Sequence, residues 1–310
     1  MKIYKNIFDR IVSPENLFSA WDAFKSDKRN KRDVLQFEWH LEENIFQLYR
    51  ELKNKTYRHS HYTAFSICDP KPRRIHKAVV RDRVLHHAVF RVLYPIFDKG
   101  FIFDSYSCRL GKSTHRAISR LEKFCRRLSR NNCRSLFVLK CDVRKFFDSV
   151  DQNILLELIK KKVKDKDARR LIKRIIKSFE SKSPASAGDS SAFSLRMTNG
   201  WKGRGLPLGN VTSQLFANIY LNELDQFIKR KLKARYYLRY CDDFLVLDTN
   251  EECLAGLVSV INNFLEQNLN LCLHSDKIIV RKYHQGIDFF GLCCFASLSG
   301  FTDENKKADI

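Results

Sequence analysis

The chain has 310 residues, with 57 Lys and Arg against 35 Asp and Glu for a formal net charge of +22; 44% of it is hydrophobic, including 24 Phe and 11 Tyr. That much core material excludes a disordered, collagen-like or mucin-like chain, and the length suffices for one large domain or for two to three lobes around a shared cleft. So large a positive surplus serves best to displace counterions from a phosphate backbone, which makes nucleic acid the leading partner and an anionic membrane the second.

The opening Met1-Lys2-Ile3-Tyr4-Lys5-Asn6 leads into no apolar core of the signal-peptide kind. No uncharged run reaches the roughly 18 residues of a spanning helix, Phe289 to Phe301 coming nearest. A soluble, intracellular, cytoplasmic protein with no membrane partner is expected. The ten cysteines contain no C-x-x-C pair, which speaks against a zinc ribbon or a thioredoxin-type site. They read as reduced, mostly buried, small apolar residues.

Residues 1 to about 56 read as helical, with Phe37, His40, Leu41, Ile45, Leu48 and Leu52 as an apolar stripe. Lys28-Arg29-Asn30-Lys31-Arg32 reads as a solvated basic loop rather than a targeting signal. Tyr62 to Ile75, interrupted by Asp69-Pro70-Lys71-Pro72, predicts a β-hairpin. A helix follows, with Arg83, Val84, His87, Ala88, Arg91 and Val92 at helical spacing. Neither His59 and His61 nor His86 and His87 have a carboxylate or cysteine at a matching offset, so a structural role is assigned to them.

Ser113 to Ser129 predicts another helix, and Ser135 to Val143 a buried strand ending in an acid. Lys160 to Lys177 reads as one strongly basic helix, either a solvated face or a support for a nucleic-acid backbone. Ser178 to Asn199 is a polar insertion, and Gln214 to Leu232 a long helix. Arg235–Tyr240 and Phe244–Leu247 alternate as two strands around Cys241-Asp242-Asp243, a hairpin with two acids at its turn. A helix from Asn250 to Asn268 and short strands through Phe295 complete the chain.

Carboxylates that face one another across adjacent strands repel unless a cation neutralises them, so Asp142 together with Asp242 and Asp243 suggests a magnesium site. A pair of acids at a hairpin turn is also ordinary turn chemistry, and the acids alone do not separate the two readings.

Tyr240-Cys241-Asp242-Asp243 between apolar strands resembles the Y-x-D-D signature of reverse transcriptases. In matching order, Asp142-Val143-Arg144-Lys145-Phe146-Phe147-Asp148 is similar to the first palm acid motif, and Gly205-Leu206-Pro207-Leu208-Gly209-Asn210-Val211-Thr212-Ser213-Gln214 to the loop and helix that hold template and nucleotide. Lys71-Pro72-Arg73-Arg74-Ile75, Arg81-Asp82-Arg83-Val84 and the stretch Ser105 to His115 resemble fingers motifs of the bacterial, group II intron-like lineage. Ser275-Asp276-Lys277 and Phe289-Phe290-Gly291-Leu292 resemble the last palm motifs and the primer grip. Within that lineage the chain is most similar to the reverse transcriptases of diversity-generating retroelements. Those carry an aliphatic residue, here Leu208, where most reverse transcriptases have Gln.

The resemblance implies an α+β, right-hand polymerase: fingers, a palm with an antiparallel sheet, and a reduced or absent thumb. Its segments would be an N-terminal helical extension at 1–58, fingers at 59–138, and a palm at 139–295 with a finger-side helix at 151–178 and the polar insertion at 178–200. Residues 296–310 would be a vestigial thumb or tail, too short for a three-helix thumb.

By the same resemblance Asp142 and Asp242 ligate two Mg2+ ions, with Mn2+ as a substitute, aided by the Val143 carbonyl. Asp243 supports the site or the primer side. Phe147, five positions after Asp142, stands where the resemblance implies a steric gate that excludes ribonucleotides. Arg73 and Arg81 contact the triphosphate, with Arg74 and Lys77 as further candidates. Lys277 is expected to protonate the leaving pyrophosphate. Gly209 and Gln214 flank the nucleotide, and Phe290 and Gly291 form the primer grip.

Leu208 cannot hydrogen-bond a nucleotide, so the implied copying is error-prone, with misincorporation opposite template adenines; the alternative reading is that Leu208 simply packs. The implied partners are template RNA, the cDNA/RNA duplex, dNTPs and a small basic accessory protein that forms a ring. Defence-associated and intron-encoded relatives share the acids, and a non-catalytic RNA-binding module stays open as the other class.

Overall fold

The computed structural model describes residues 2–68, 72–131, 133–180, 203–289 and 292–294. In chain order its elements are α1 (Phe8–Val12), α2 (Pro14–Lys25), α3 (Arg32–Trp39), α4 (Leu41–Lys53), β1 (Thr63–Cys68), β2 (Pro72–Lys77), α5 (Val80–Asp98), α6 (Thr114–Leu128), β3 (Phe137–Asp142), α7 (Phe146–Ser149), α8 (Gln152–Lys162) and α9 (Lys166–Lys177). There follow α10 (Val211–Gln226), β4 (Tyr237–Tyr240), β5 (Asp243–Asp248), α11 (Glu251–Leu269), β6 (Ile279–Lys282), β7 (Ile287–Phe289) and β8 (Leu292–Cys294). Helices and antiparallel sheets are mixed, as in an α+β polymerase. The residues expected to form a vestigial thumb lie outside the described residues, as does most of the polar insertion.

The elements fall into two units, each built from separated stretches of chain. The first unit holds residues through Phe103, Arg144–Phe227 and Phe264–Cys272. Its centre is α5, whose Val84, Leu85, Ala88, Val89 and Leu93 are fully buried. The helical N-terminus is realised as four segments. Pro14 opens α2, and the Ser13 hydroxyl accepts from the Asn16 N–H at 3.2 Å, so the chain restarts its helix there. Trp21 and Phe24 of α2 are almost wholly buried and add their rings to this core.

The basic stretch predicted as one helix from Lys160 to Lys177 is two. Val163 leaves helical geometry and forms a parallel bridge with Tyr4, whose N–H donates to the Lys162 carbonyl and whose carbonyl accepts from Lys164. Asp165 then caps α9, its carboxylate accepting from the Asp167 and Ala168 amides at 3.0 and 3.1 Å. A bond to a residue more than 150 positions away decides the break, which local periodicity cannot register.

The second unit holds Asp104–Val143, Ile228–Asn263 and the chain from Leu273 onward. Its sheet has the order β4-β5-β3-β6, antiparallel throughout. In register, Val138 lies opposite Leu247, Lys140 opposite Leu245, and Asp142 opposite Asp243. Residues directly opposite in an antiparallel pair share a face, so one face of β3 and β5 changes along its length from apolar to carboxylate. Its apolar part packs with Ala117, Leu121 and Phe124 of α6 and with Tyr106, Tyr283 and Phe289.

No helix among the described residues is long and apolar enough to cross a membrane. The expectation of mostly buried cysteines is corrected: of the eight whose surroundings are described, Cys125, Cys141 and Cys272 are buried while Cys68, Cys108, Cys133 and Cys253 are exposed. A small thiol at a helix surface or loop costs too little to be excluded from it.

Candidate active site

The acids predicted from sequence meet in the second unit. Asp142 closes β3 and is 8% exposed. Cys241 and Asp242 form the two-residue turn between β4 and β5, with Cys241 in the left-handed region at φ 55°. A residue with a side chain is strained there by roughly 1–2 kcal/mol. The turn is held by Arg239, a buried side chain whose guanidinium donates to the Cys241 carbonyl at 2.7 Å and to the Ser105 hydroxyl at 3.1 Å. Asp243 begins β5 directly across from both Asp142 and Tyr240.

Like charges this close shift one another. Burial, together with the charge of Asp142, raises the Asp242 carboxyl above the ordinary carboxylate range. Asp243 is pushed up to about 7 by burial and by Asp142 and Asp242, against the pull of Lys140 and Lys277. The Lys277 ammonium sits on Asp142 as an ion pair, and although its partial burial works the other way, Asp142, Asp242 and Asp243 hold its proton more tightly than usual. Lys140 reaches Asp243 at 3.8 Å. Asp243 Oδ1 is buried without a hydrogen-bond partner.

Among the described residues no three His, Cys, Asp or Glu side chains close around a single point as a finished metal cage, and the Lys277 ammonium takes the position beside Asp142. The chemistry of the donors nevertheless fits a hard divalent cation. They are carboxylate oxygens, two of them raised by burial and by one another's charge, one oxygen is orphaned, and the main-chain carbonyl of Val143 follows directly in sequence. Asp142 and Asp242 would hold such a cation, whose charge would offset their mutual repulsion.

The other predicted residues that are described belong to the first unit. Phe147 in α7 is half-buried, its ring 5.3 Å from that of Phe146, and its carbonyl accepts from the Leu206 amide at 2.7 Å. The motif loop is tied to the β1–β2 hairpin, since the His76 amide donates to the Leu208 carbonyl at 2.9 Å and Asn210 Nδ2 donates to the His76 carbonyl at 3.1 Å. Gly209 adopts φ 101°, and a Cβ there would stand 2.8 Å from Ile75 Cγ2. Gln214 is exposed at the first turn of α10, and Arg73 and Arg74 are exposed on β2. Arg81 is engaged by Glu51 at 3.0 Å and by the Arg58 carbonyl at 2.8 Å, and Lys77 by Asp33 at 2.8 Å. Phe290 and Gly291 lie outside the described residues.

Sequence reasoning missed Lys140 and Arg239, the counter-charge and the brace of the turn. Arg239 could have been noticed as a cation two residues before the turn in a strand otherwise apolar. It also missed how the assigned structural histidines work: buried Asp82 accepts from Tyr57 Oη at 2.9 Å and the Ser60 amide at 2.8 Å, His59 Nε2 meets His86 Nε2 at 3.0 Å, and His86 Nδ1 meets Thr212 Oγ1 at 3.3 Å. This line of buried contacts runs from the hairpin's entry to the first turn of α10.

Residues 69–294 match the family model described as reverse transcriptase (RNA-dependent DNA polymerase). Protein YkfC of Escherichia coli strain K12 is 26% identical over 247 residues, covering 68% of this chain and 60% of that protein. The group II intron-encoded protein LtrA of Lactococcus lactis subsp. cremoris is 24% identical over 241 residues, covering 76% of this chain and 37% of LtrA. The chain thus spans 60% or less of the length of these two relatives. In fold, the telomerase of Candida tropicalis solved with the TWJ fragment of telomeric RNA matches with a TM-score of 0.54 at 14% identity, over 85% of this chain and 49% of that one.

Proposed function

Since the chain belongs to the reverse transcriptase family, we propose that it is an RNA-directed DNA polymerase whose chemistry is carried by Asp142, Asp242 and Asp243. The observation that supports this most is the register that sets Asp142 against Asp243 beside the strained Asp242 turn: a fold gains no stability from three carboxylates on one edge unless they serve a cation. Asp142, Asp242 and the Val143 carbonyl would hold Mg2+, or Mn2+ in its place. Such ions, when bound, supply the charge that activates a primer 3′-hydroxyl and offsets the triphosphate. Lys277 keeps its proton beside the acids, in place to meet the leaving pyrophosphate. Arg73 is the exposed candidate for the triphosphate, while Arg81 would first have to leave Glu51. The Phe147 ring acts as the gate against a ribose 2′-hydroxyl.

Primer extension with purified protein, Mg2+, RNA template and dNTPs tests the reading. Asp242→Ala is expected to lose about a hundred- to a thousandfold in rate, the scale of removing a main electrostatic contributor. Activity unchanged in that variant removes the metal assignment.

The finer reading is a mutagenic copier of the diversity-generating retroelement kind, supported by Leu208 standing in Leu-Pro-Leu-Gly-Asn in place of an amide side chain. Sequencing of cDNA from a defined RNA should show errors concentrated opposite adenines, and fewer of them in Leu208→Gln. An adenine error rate equal to that at other bases would point to an intron-type enzyme, the reading that similarity to LtrA favours. Template RNA and the cDNA/RNA duplex are the proposed partners, with a small basic ring-forming protein as a further one.

A further inference from the structure

Helix α9 carries two opposed faces. Ala168, Leu171, Ile172, Ile175 and Ile176 are buried. The complementary positions, Lys166, Arg169, Arg170, Lys173, Arg174 and Lys177, recur at the three- and four-residue spacing that lines one side of a helix. The helix has a single acid, Asp167, which Lys55 takes at 2.8 Å. Like charges at these spacings each cost about 0.2–0.5 kcal/mol, so the stripe opposes the helix that bears it.

The protein neutralises little of this charge. Arg174 donates to the carbonyls of Tyr57 and Lys55, and Lys177 to Asn153 Oδ1 at 3.1 Å. Arg169 Nε is buried without a partner. Among the described residues, Lys166, Arg170 and Lys173 form no ion pair or side-chain hydrogen bond. Two open grooves run along the stripe, both within the first unit. Arg170 and Lys173 border both; Lys160, Lys166 and Arg169 line one, and Arg58, Arg174 and Lys177 the other.

Neither groove contains Phe, Tyr or Trp, and the ring of His59, which lines one of them, is already stacked on Tyr62 and bonded to His86 within the fold. Surfaces for single strands combine positive charge with aromatic platforms on which bases stack, whereas duplex RNA is held through its backbone and shape. The stripe spans about 16 Å at 1.5 Å per residue, a length along which a duplex presents on the order of ten phosphate charges. We propose that α9 and its two flanking grooves form a docking ridge for the phosphate backbone of double-helical RNA, used to hold a structured RNA rather than to copy a template. The identity of the polyanion as RNA rests on the function proposed above; the ridge itself rests on the charges.

The test is the triple variant Lys166→Ala, Arg170→Ala, Lys173→Ala in the full chain, which leaves the side chains that bond back to the fold untouched. Binding of a fluorescent, blunt RNA duplex of about 20 base pairs, titrated across salt, should weaken at least tenfold at ~0.1 M salt, and the slope of log affinity against log salt should become shallower by about two to three. Arg170→Lys with Lys173→Arg, which preserves charge, should bind like the wild type. Primer extension on a short single-stranded template should stay within about twofold of the wild type. Wild-type affinity and slope in the triple variant overturn the ridge. A loss of short-template extension matching the loss of duplex binding overturns the separation from copying. If the wild type extends no primer but the duplex slope falls as stated, the ridge stands and the polymerase reading fails.

Discussion

Asp243 shows how one residue answers to opposing demands. Its carboxylate stands opposite Asp142, keeps a buried oxygen with no partner, and has Lys140, at 3.8 Å, as its ion-pair partner. In metal-free protein at pH 8, Asp243→Asn removes one of three crowded charges and should raise Tm by about 1–2 °C, the effect of roughly 1 kcal/mol in a chain of this size. The same variant should slow primer extension at least tenfold, a trade of stability against activity usual at sites where charge is held for function. Thermal melting and extension measured on one preparation check both, and a lower Tm would show that Lys140 outweighs the repulsion. The three acids were legible in sequence because each ends or turns an apolar strand. Lys140 was not, since a lysine within a strand carries no mark of the side chain it will face.

At the scale of elements, the loop from Leu206 to Asn210 is tied to the β1–β2 hairpin by the His76 amide on the Leu208 carbonyl and by the Asn210 side-chain amide on the His76 carbonyl. Gly209 adopts φ 101° and lies where a Cβ would meet Ile75 Cγ2 at 2.8 Å. Gly209→Ala is therefore expected to destabilise by about 1–3 kcal/mol, from backbone strain and the clash together. Denaturant unfolding measures it, and a change below about 0.5 kcal/mol would mean that the hairpin gives way. A small loss of stability with a large loss of extension would tie the loop's position to the reaction. The hairpins and most helices were legible because alternation and helical spacing survive in short windows. The division of α8 from α9 was not, because the Tyr4 bridge to Val163 supplies the reason from the far end of the chain.

Across the whole molecule, charge and burial set the response to acid. His87 in α5 packs edge-on against Phe24 at 5.7 Å, and burial with Lys28, Arg83 and Arg91 around it pushes its pKa down to about 4. A histidine depressed in the folded state binds fewer protons than in the unfolded chain, so its stabilising effect is whole above the unfolded value near 6.5 and is lost as pH falls toward about 4. His86, buried beside His59, is lowered in the same direction, chiefly by burial. His87→Gln should flatten part of the decline between pH 6.5 and 4, by about 1–2 kcal/mol after discounting for partial exposure. Chemical denaturation at pH 7.5, 6 and 4.5 reads it. Parallel pH profiles for variant and wild type would place the acid sensitivity elsewhere.

The sequence by itself determined the basic surplus, the order of the motifs, the strand that ends in Asp142 and the turn that carries Asp242. Composition and short-range period are local properties, and they survive without coordinates. Tertiary structure alone decided that Asp142 lies opposite Asp243, that Lys277 rests on Asp142 from 135 residues away, and that Asp82, His59, His86 and Thr212 form one buried line. Those facts depend on strand register and on pairs of side chains far apart in the chain, and a one-residue slip would turn every such side chain to the other face without changing a letter of the sequence.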